Sequence, residues 1–106
     1  MKNKKILVTG GAGAIGFNLI QKLLKLDNEV ISWDNYSAGT TENHIQGATY
    51  VNRHTKEAFL LNDSFDLVYH LGEYSKVVPS FNEIEKAFDY NVLGSFNLIN
   101  RCNELN

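Results

Sequence analysis

Apolar and polar positions along the chain switch between two periods. Lys5–Thr9 (KILVT) is short, apolar and β-branched, which predicts a strand covered on both faces. From Ala14 to Lys25 the residues Ile15, Leu19, Ile20, Leu23 and Leu24 recur at helical spacing and predict an amphipathic helix. Glu29–Trp33 (EVISW) predicts a second strand ending at Asp34, and Asn35–Gly47 is polar enough to be a loop. Thr49–Asn52 (TYVN) predicts a weak third strand, Thr55–Asn62 a short helix, and Phe65–Leu71 (FDLVYHL) a fourth strand. After Pro79, Ser80-Phe81-Asn82-Glu83 has the form of a capping box. It predicts a helix from Ser80 to near Glu104, with Ile84, Phe88, Val92, Phe96 and Ile99 along one stripe. Gly94 inside that helix costs about 1 kcal/mol against alanine, which predicts a packing or close-approach reason for it.

Strands alternating with helices predict right-handed βαβ crossovers and a parallel sheet. The expected fold class is α/β, the N-terminal half of a Rossmann-type doubly wound sheet. Its four strands take the order 3-2-1-4, with helices on both faces. Such sheets usually have six strands. Without a fifth, one edge of the fourth strand offers unpaired backbone groups. Self-association is therefore expected, through that edge or through the 80–104 helix.

Composition narrows the class. The chain has 106 residues, 43% of them apolar, and one proline, which suits a single small domain over residues 1–106. Its formal charge of −2 is mixed along the chain, so no basic stripe offers itself to nucleic acid. No window approaches the roughly 18 unbroken apolar residues of a membrane span. The apolar run after MKNKK is too short for a secretory core, so a cytoplasmic location is expected. Cys102 is the sole cysteine and sits on the apolar side of a helical pattern, as a packed, inert thiol would. His44, His54 and His70 are too widely separated to read as metal ligands. Neither a P-loop nor a Gly-x-Ser-x-Gly elbow is present. Trp33 and Phe81 read as core residues.

The candidate chemistry lies between the first strand and the first helix. Gly10, Gly11, Gly13 and Gly16 fall within seven residues there. At such a junction a pyrophosphate can rest on backbone N–H groups at the positive end of a helix. Gly10 would permit the tight turn, Gly13 the approach of phosphate, and Gly16 close helix–strand packing. A purely structural turn would use glycines too. The second strand decides between them, because it ends in an acid, Asp34, 24 residues beyond Gly10. A carboxylate there can accept hydrogen bonds from the adenosine ribose and repels a 2′-phosphate, which favours NAD over NADP.

Thr9-Gly10-Gly11-Ala12-Gly13-Ala14-Ile15-Gly16 resembles the TGGAGFIG signature of the extended short-chain dehydrogenases/reductases, the NAD-dependent epimerases and dehydratases of nucleotide sugars. Asp34-Asn35 resembles the family's Asp-Asn. His70-Leu71-Gly72-Glu73 with Val77 and Ser80 resembles its HLAA…V..S segment, and Asn91-Val92-Leu93-Gly94-Ser95 its NVxGT segment. The branch most similar is that of UDP-glucose 4-epimerase. The resemblance implies NAD as cofactor, with Thr9, Gly10, Gly13, Ala14, Ile15 and Gly16 at the pyrophosphate and Asp34 and Asn35 at the ribose. It also implies that Leu71, Gly72 and Glu73 pass beside the riboses, that Ser75 and Lys76 open a substrate-facing loop, and that Asn91 supports the site. A buried capping role is equally open for Asn91.

Two departures stand out. Where the family has Gly-Asp-Ile/Leu after the third strand, this chain has Arg53-His54-Thr55, and His54 reads more readily as a surface histidine than as a base-stacking one. The family's reaction also needs a Tyr-x-x-x-Lys pair. Four residues after Tyr36, Tyr50, Tyr69, Tyr74 and Tyr90 stand Thr40, His54, Glu73, Val78 and Gly94, none of them lysine. No catalytic residue is therefore assigned. A nucleotide sugar is an expected partner only if a further C-terminal part is supplied. The alternatives are a non-catalytic NAD-binding or sensing module, and a folded remnant without activity.

Overall fold

Strand β1 (Lys5–Thr9) runs between two parallel neighbours in the computed structural model, which describes residues 2–73 and 83–105. Ser75, Lys76, Phe81 and the serine of the expected capping box lie outside the described residues, but Glu83 of that box is non-helical and precedes a helix that starts at Ile84, not Ser80. After β1 come α1 (Ala14–Lys25), β2 (Glu29–Asp34), a 3-10 turn (Thr41–Asn43) and β3 (Thr49–Asn52). A 3-10 helix (Thr55–Leu60) and β4 (Leu67–His70) follow. The long C-terminal helix has three parts: α2 (Ile84–Phe88), a π-helical turn (Asp89–Gly94) and α3 (Ser95–Leu105).

The sheet has four strands in the order β3-β2-β1-β4, all parallel, as the alternation of elements predicts. Ile6 pairs with Val30 on one side and with Leu67 on the other, and Ile31 pairs with Thr49. Because side chains alternate across a strand, β1 feeds two cores. Ile6 and Val8 pack with Ile20 and Leu23 of α1 and with Val30. Leu7 packs on the opposite face with Trp33, Ala58, Leu61 and Leu98. Helical elements therefore cover both faces of the sheet. Asn28 fixes the return from α1, since its Oδ1 accepts from the Lys4 N–H at 3.0 Å and its Nδ2 donates to the Leu23 carbonyl at 3.0 Å.

Three elements differ from the sequence expectation. The Thr55–Asn62 helix is a 3-10 helix that ends at Leu60, opened by His54 and Glu57 as a reciprocal capping box. The fourth strand is confined to Leu67–His70. The stripe Ile84, Phe88, Val92, Phe96, Ile99 exists but faces outward, with Ile84 71% and Ile99 68% exposed. The inner stripe is Gly94, Leu98, Cys102 and Leu105, which also has helical spacing and meets Leu7 and Trp33. Cys102 is half-buried in that core, and burial pushes its thiol pKa up. A β-carbon on Gly94 would run into the Thr55 hydroxyl, which is the close approach its position predicts.

Candidate functional site

Parallel strands place their carboxyl ends on one edge, and there the loops surround a cleft of about 470 Å³. Gly10, Gly13, Ala14, Ile15, Gly16, Asp34, Asn35, Leu71, Gly72 and Glu73 all line it. Thr9 is fully buried behind this lining, and Asn91 is exposed on the π-helical turn outside it.

The glycine turn is built in layers. Gly10 adopts φ +74°, and a β-carbon there would lie 2.9 Å from the backbone of Leu71 and Gly72. Only glycine holds that conformation readily while β4's outgoing chain passes so close. At Gly16 a β-carbon would sit 2.5 Å from the Gly10 carbonyl oxygen, so α1 starts pressed against the turn. Gly13 differs. Its β-carbon would meet nothing nearer than the Gly10 oxygen at 3.5 Å, and the space beyond opens into the cleft. The N-cap Gly13 has no side chain to cap α1, and no acid stands in the helix's first turn. The first N–H groups of this 12-residue helix have no intrahelical acceptor and open towards the cleft.

Asp34 ends β2 almost fully buried. Its Oδ2 accepts from the Ala12 N–H at 3.0 Å and its Oδ1 from the Tyr36 N–H at 2.7 Å. The carboxylate thus ties the glycine turn to the loop after β2, and each oxygen keeps a further lone pair for a ligand. Asn35 donates to the Tyr90 hydroxyl at 2.7 Å, which draws the π-helical turn over the cleft.

His54 corrects the expectation of a surface histidine. It is half-buried in the cleft wall, its Nδ1 accepting from the Lys56 N–H and its ring meeting Tyr90 edge-on at 4.3 Å. Burial, helped by the Lys56 charge, pushes its pKa below the usual 6.5. Its Nε2 and the Thr55 hydroxyl are buried polar atoms with no hydrogen-bond partner among the described residues. Arg53, beside it, is exposed and its N–H donates to the Asp34 carbonyl.

Sequence reasoning missed Tyr90 and the group around His70. The His70 Nδ1 lies 2.6 Å from the Thr9 hydroxyl and its Nε2 2.8 Å from the Ser95 hydroxyl. Ser95 donates to Glu73 at 3.1 Å, and the Gly72 N–H donates to Thr9 at 3.0 Å. Burial holds the His70 pKa below 6.5 against the pull of Glu73. Among the described residues no group of His, Cys, Asp and Glu could hold a metal ion, and no helix is long and apolar enough to cross a membrane.

A parallel doubly wound sheet with a glycine turn, an uncapped helix start and a carboxylate at the end of β2 defines a dinucleotide-binding protein of the Rossmann class. Within that class the chain belongs to the NAD dependent epimerase/dehydratase family, which matches residues 6–106. It is 31% identical over 107 residues to UDP-glucose 4-epimerase of Lactobacillus helveticus, covering 96% of this chain and 32% of the relative. It is 35% identical to UDP-glucuronic acid decarboxylase 6 of Arabidopsis thaliana, covering 92% of this chain and 29% of the relative. The crystal structure of the Bordetella bronchiseptica enzyme WbmF in complex with NAD+ and UDP superimposes with a TM-score of 0.92 at 25% identity, over 99% of this chain and 33% of that one. The chain thus spans about a third of the length of these relatives.

Proposed function

We propose that these 106 residues bind NAD, as the cofactor part of a nucleotide-sugar epimerase or dehydratase. The observation that carries the reading is the uncapped start of α1, opening into the cleft beside Asp34. The pyrophosphate would rest on the N–H groups of the turn, with Gly13 leaving room for its oxygens. The adenosine ribose would bond to the free lone pairs of Asp34, with Asn35 beside it, and its base would lie toward Arg53 and His54 at the end of β3. Leu71 and Gly72 would flank the other half, where β4 ends.

The group supplies hydride transfer when bound. This chain's part is to bind and orient it, because the sequence offers no Tyr-x-x-x-Lys to take a proton from a sugar hydroxyl. Turnover of a UDP-sugar would therefore need further polypeptide. The sugar-facing role of Ser75 and Lys76, the supporting role of Asn91 and a cytoplasmic location belong to this same proposal.

Calorimetric titration with NAD, with NADP as control, tests it. Binding in the micromolar range is expected, with NADP weaker. Asp34→Ala should weaken NAD by about tenfold or more, since a charge-assisted hydrogen bond is lost. Gly13→Val should abolish binding and leave the far-ultraviolet circular dichroism unchanged, because its side chain points into open cleft. No binding heat from a folded wild-type chain would sink the reading.

A further inference from the structure

The hydrogen bonds around His70 admit only one arrangement of protons for a neutral ring. Glu73 accepts only, so Ser95 gives it the hydroxyl proton. The Ser95 oxygen then receives a proton from His70 Nε2, which leaves Nδ1 bare. Nδ1 in turn accepts from the Thr9 hydroxyl, whose oxygen takes the Gly72 N–H. Every donor is used once, and four hydrogen bonds lock the five residues together. Protonating Nδ1 would leave the Thr9 hydroxyl without its acceptor. The chain of bonds begins in the buried wall behind the glycine turn and ends on a carboxylate that lines the cleft.

A dinucleotide has two ribose diols, one on each side of a single pyrophosphate. In the order β3-β2-β1-β4 the glycine turn after β1 lies between the ends of β2 and β4. Asp34 stands on the β2 side and Glu73 on the β4 side of the same cleft. Glu73 Oε2 holds the Ser95 proton, and among the described residues Oε1 has no protein donor. We propose that Glu73 accepts hydrogen bonds from the second ribose, the one beyond the pyrophosphate from Asp34, with Ser95 and His70 as its positioning residues. This rests on the cofactor reading above. It gives the cleft a carboxylate for each diol, one held by backbone N–H groups and the other by a side-chain network.

Three ligands separate the possibilities: ADP, which ends before the second ribose, ADP-ribose, which includes it, and NAD. Each is titrated calorimetrically into the full chain. Glu73→Gln should weaken ADP-ribose and NAD by about tenfold and leave ADP unchanged. Ser95→Ala should weaken the same two ligands severalfold, and Ser95→Thr, which restores the hydroxyl, should recover them. His70→Asn should follow Ser95→Ala. A general loosening of the fold would weaken ADP as well, and that result overturns the proposal. So does an unchanged affinity of Glu73→Gln for ADP-ribose. Wild-type protein that binds none of the three removes the cofactor reading and this inference together, whereas normal ADP binding with no selective loss removes this inference alone.

Discussion

Asp34 joins two structural ties to one proposed contact. Its carboxylate anchors both the glycine turn and the loop after β2, so a ligand would meet an acceptor whose direction is already fixed. The glycines divide the same way, with Gly10 and Gly16 shaping the turn and Gly13 leaving it open. His54 and His70 add a dependence on pH. Burial lowers both pKa values below 6.5, so the unfolded chain binds more protons than the native one as pH falls through 6.5. Stability therefore rises with pH in this window; it is full above 6.5 and is lost progressively below. Urea midpoints measured from pH 8 to pH 5 should fall on the acid side. His70→Asn and His54→Asn should each flatten the slope. A midpoint that climbs as the pH is lowered would contradict the burial of both rings. The turn and Asp34 were legible because glycine spacing and a strand-ending acid are local signals. The contact of His70 with Ser95 crosses 25 residues and leaves no such mark. Nor does His54 as a helix cap, because histidine is not among the preferred capping residues.

The elements were legible wherever a single period ruled. β1, α1 and β3 begin and end where their patterns do, bounded by glycine, aspartate and asparagine. The C-terminal helix carries two stripes at helical spacing, one through Phe96 and one through Leu98, and sequence alone cannot rank them. Packing ranks them. Gly94 lets the helix settle on Thr55, and that contact turns Leu98, Cys102 and Leu105 inward. The larger stripe is left facing out, with Phe96 65% exposed. Apolar area of this kind on one helix face suits a second copy of the same face. Sedimentation equilibrium should show a dimer that dissociates on dilution, and Phe96→Asp should shift it to monomer without loss of helicity. A strictly monomeric wild type at high concentration would remove this expectation, and β4's outer edge would be left as the alternative contact.

As a whole the molecule was readable as strands in the order 3-2-1-4 because alternating elements and right-handed crossovers leave few other topologies. The central place of β1 has a consequence for the order of assembly. Its ladder to β2 closes a loop of 24 residues, marked by Lys4 and Asn28, while its ladder to β4 closes one of 61, marked by Lys5 and Asp66. The longer closure costs about 0.8 kcal/mol more in chain entropy, and β4 is also the less buried neighbour. The β1-α1-β2 unit should thus form before β4 docks, and β4 should open first. Native-state hydrogen exchange is expected to release the β4 amides bonded to β1 before those of β2, and the opposite order would place the nucleus elsewhere. The cleft spans both ladders, so it is complete only after the slower one has closed.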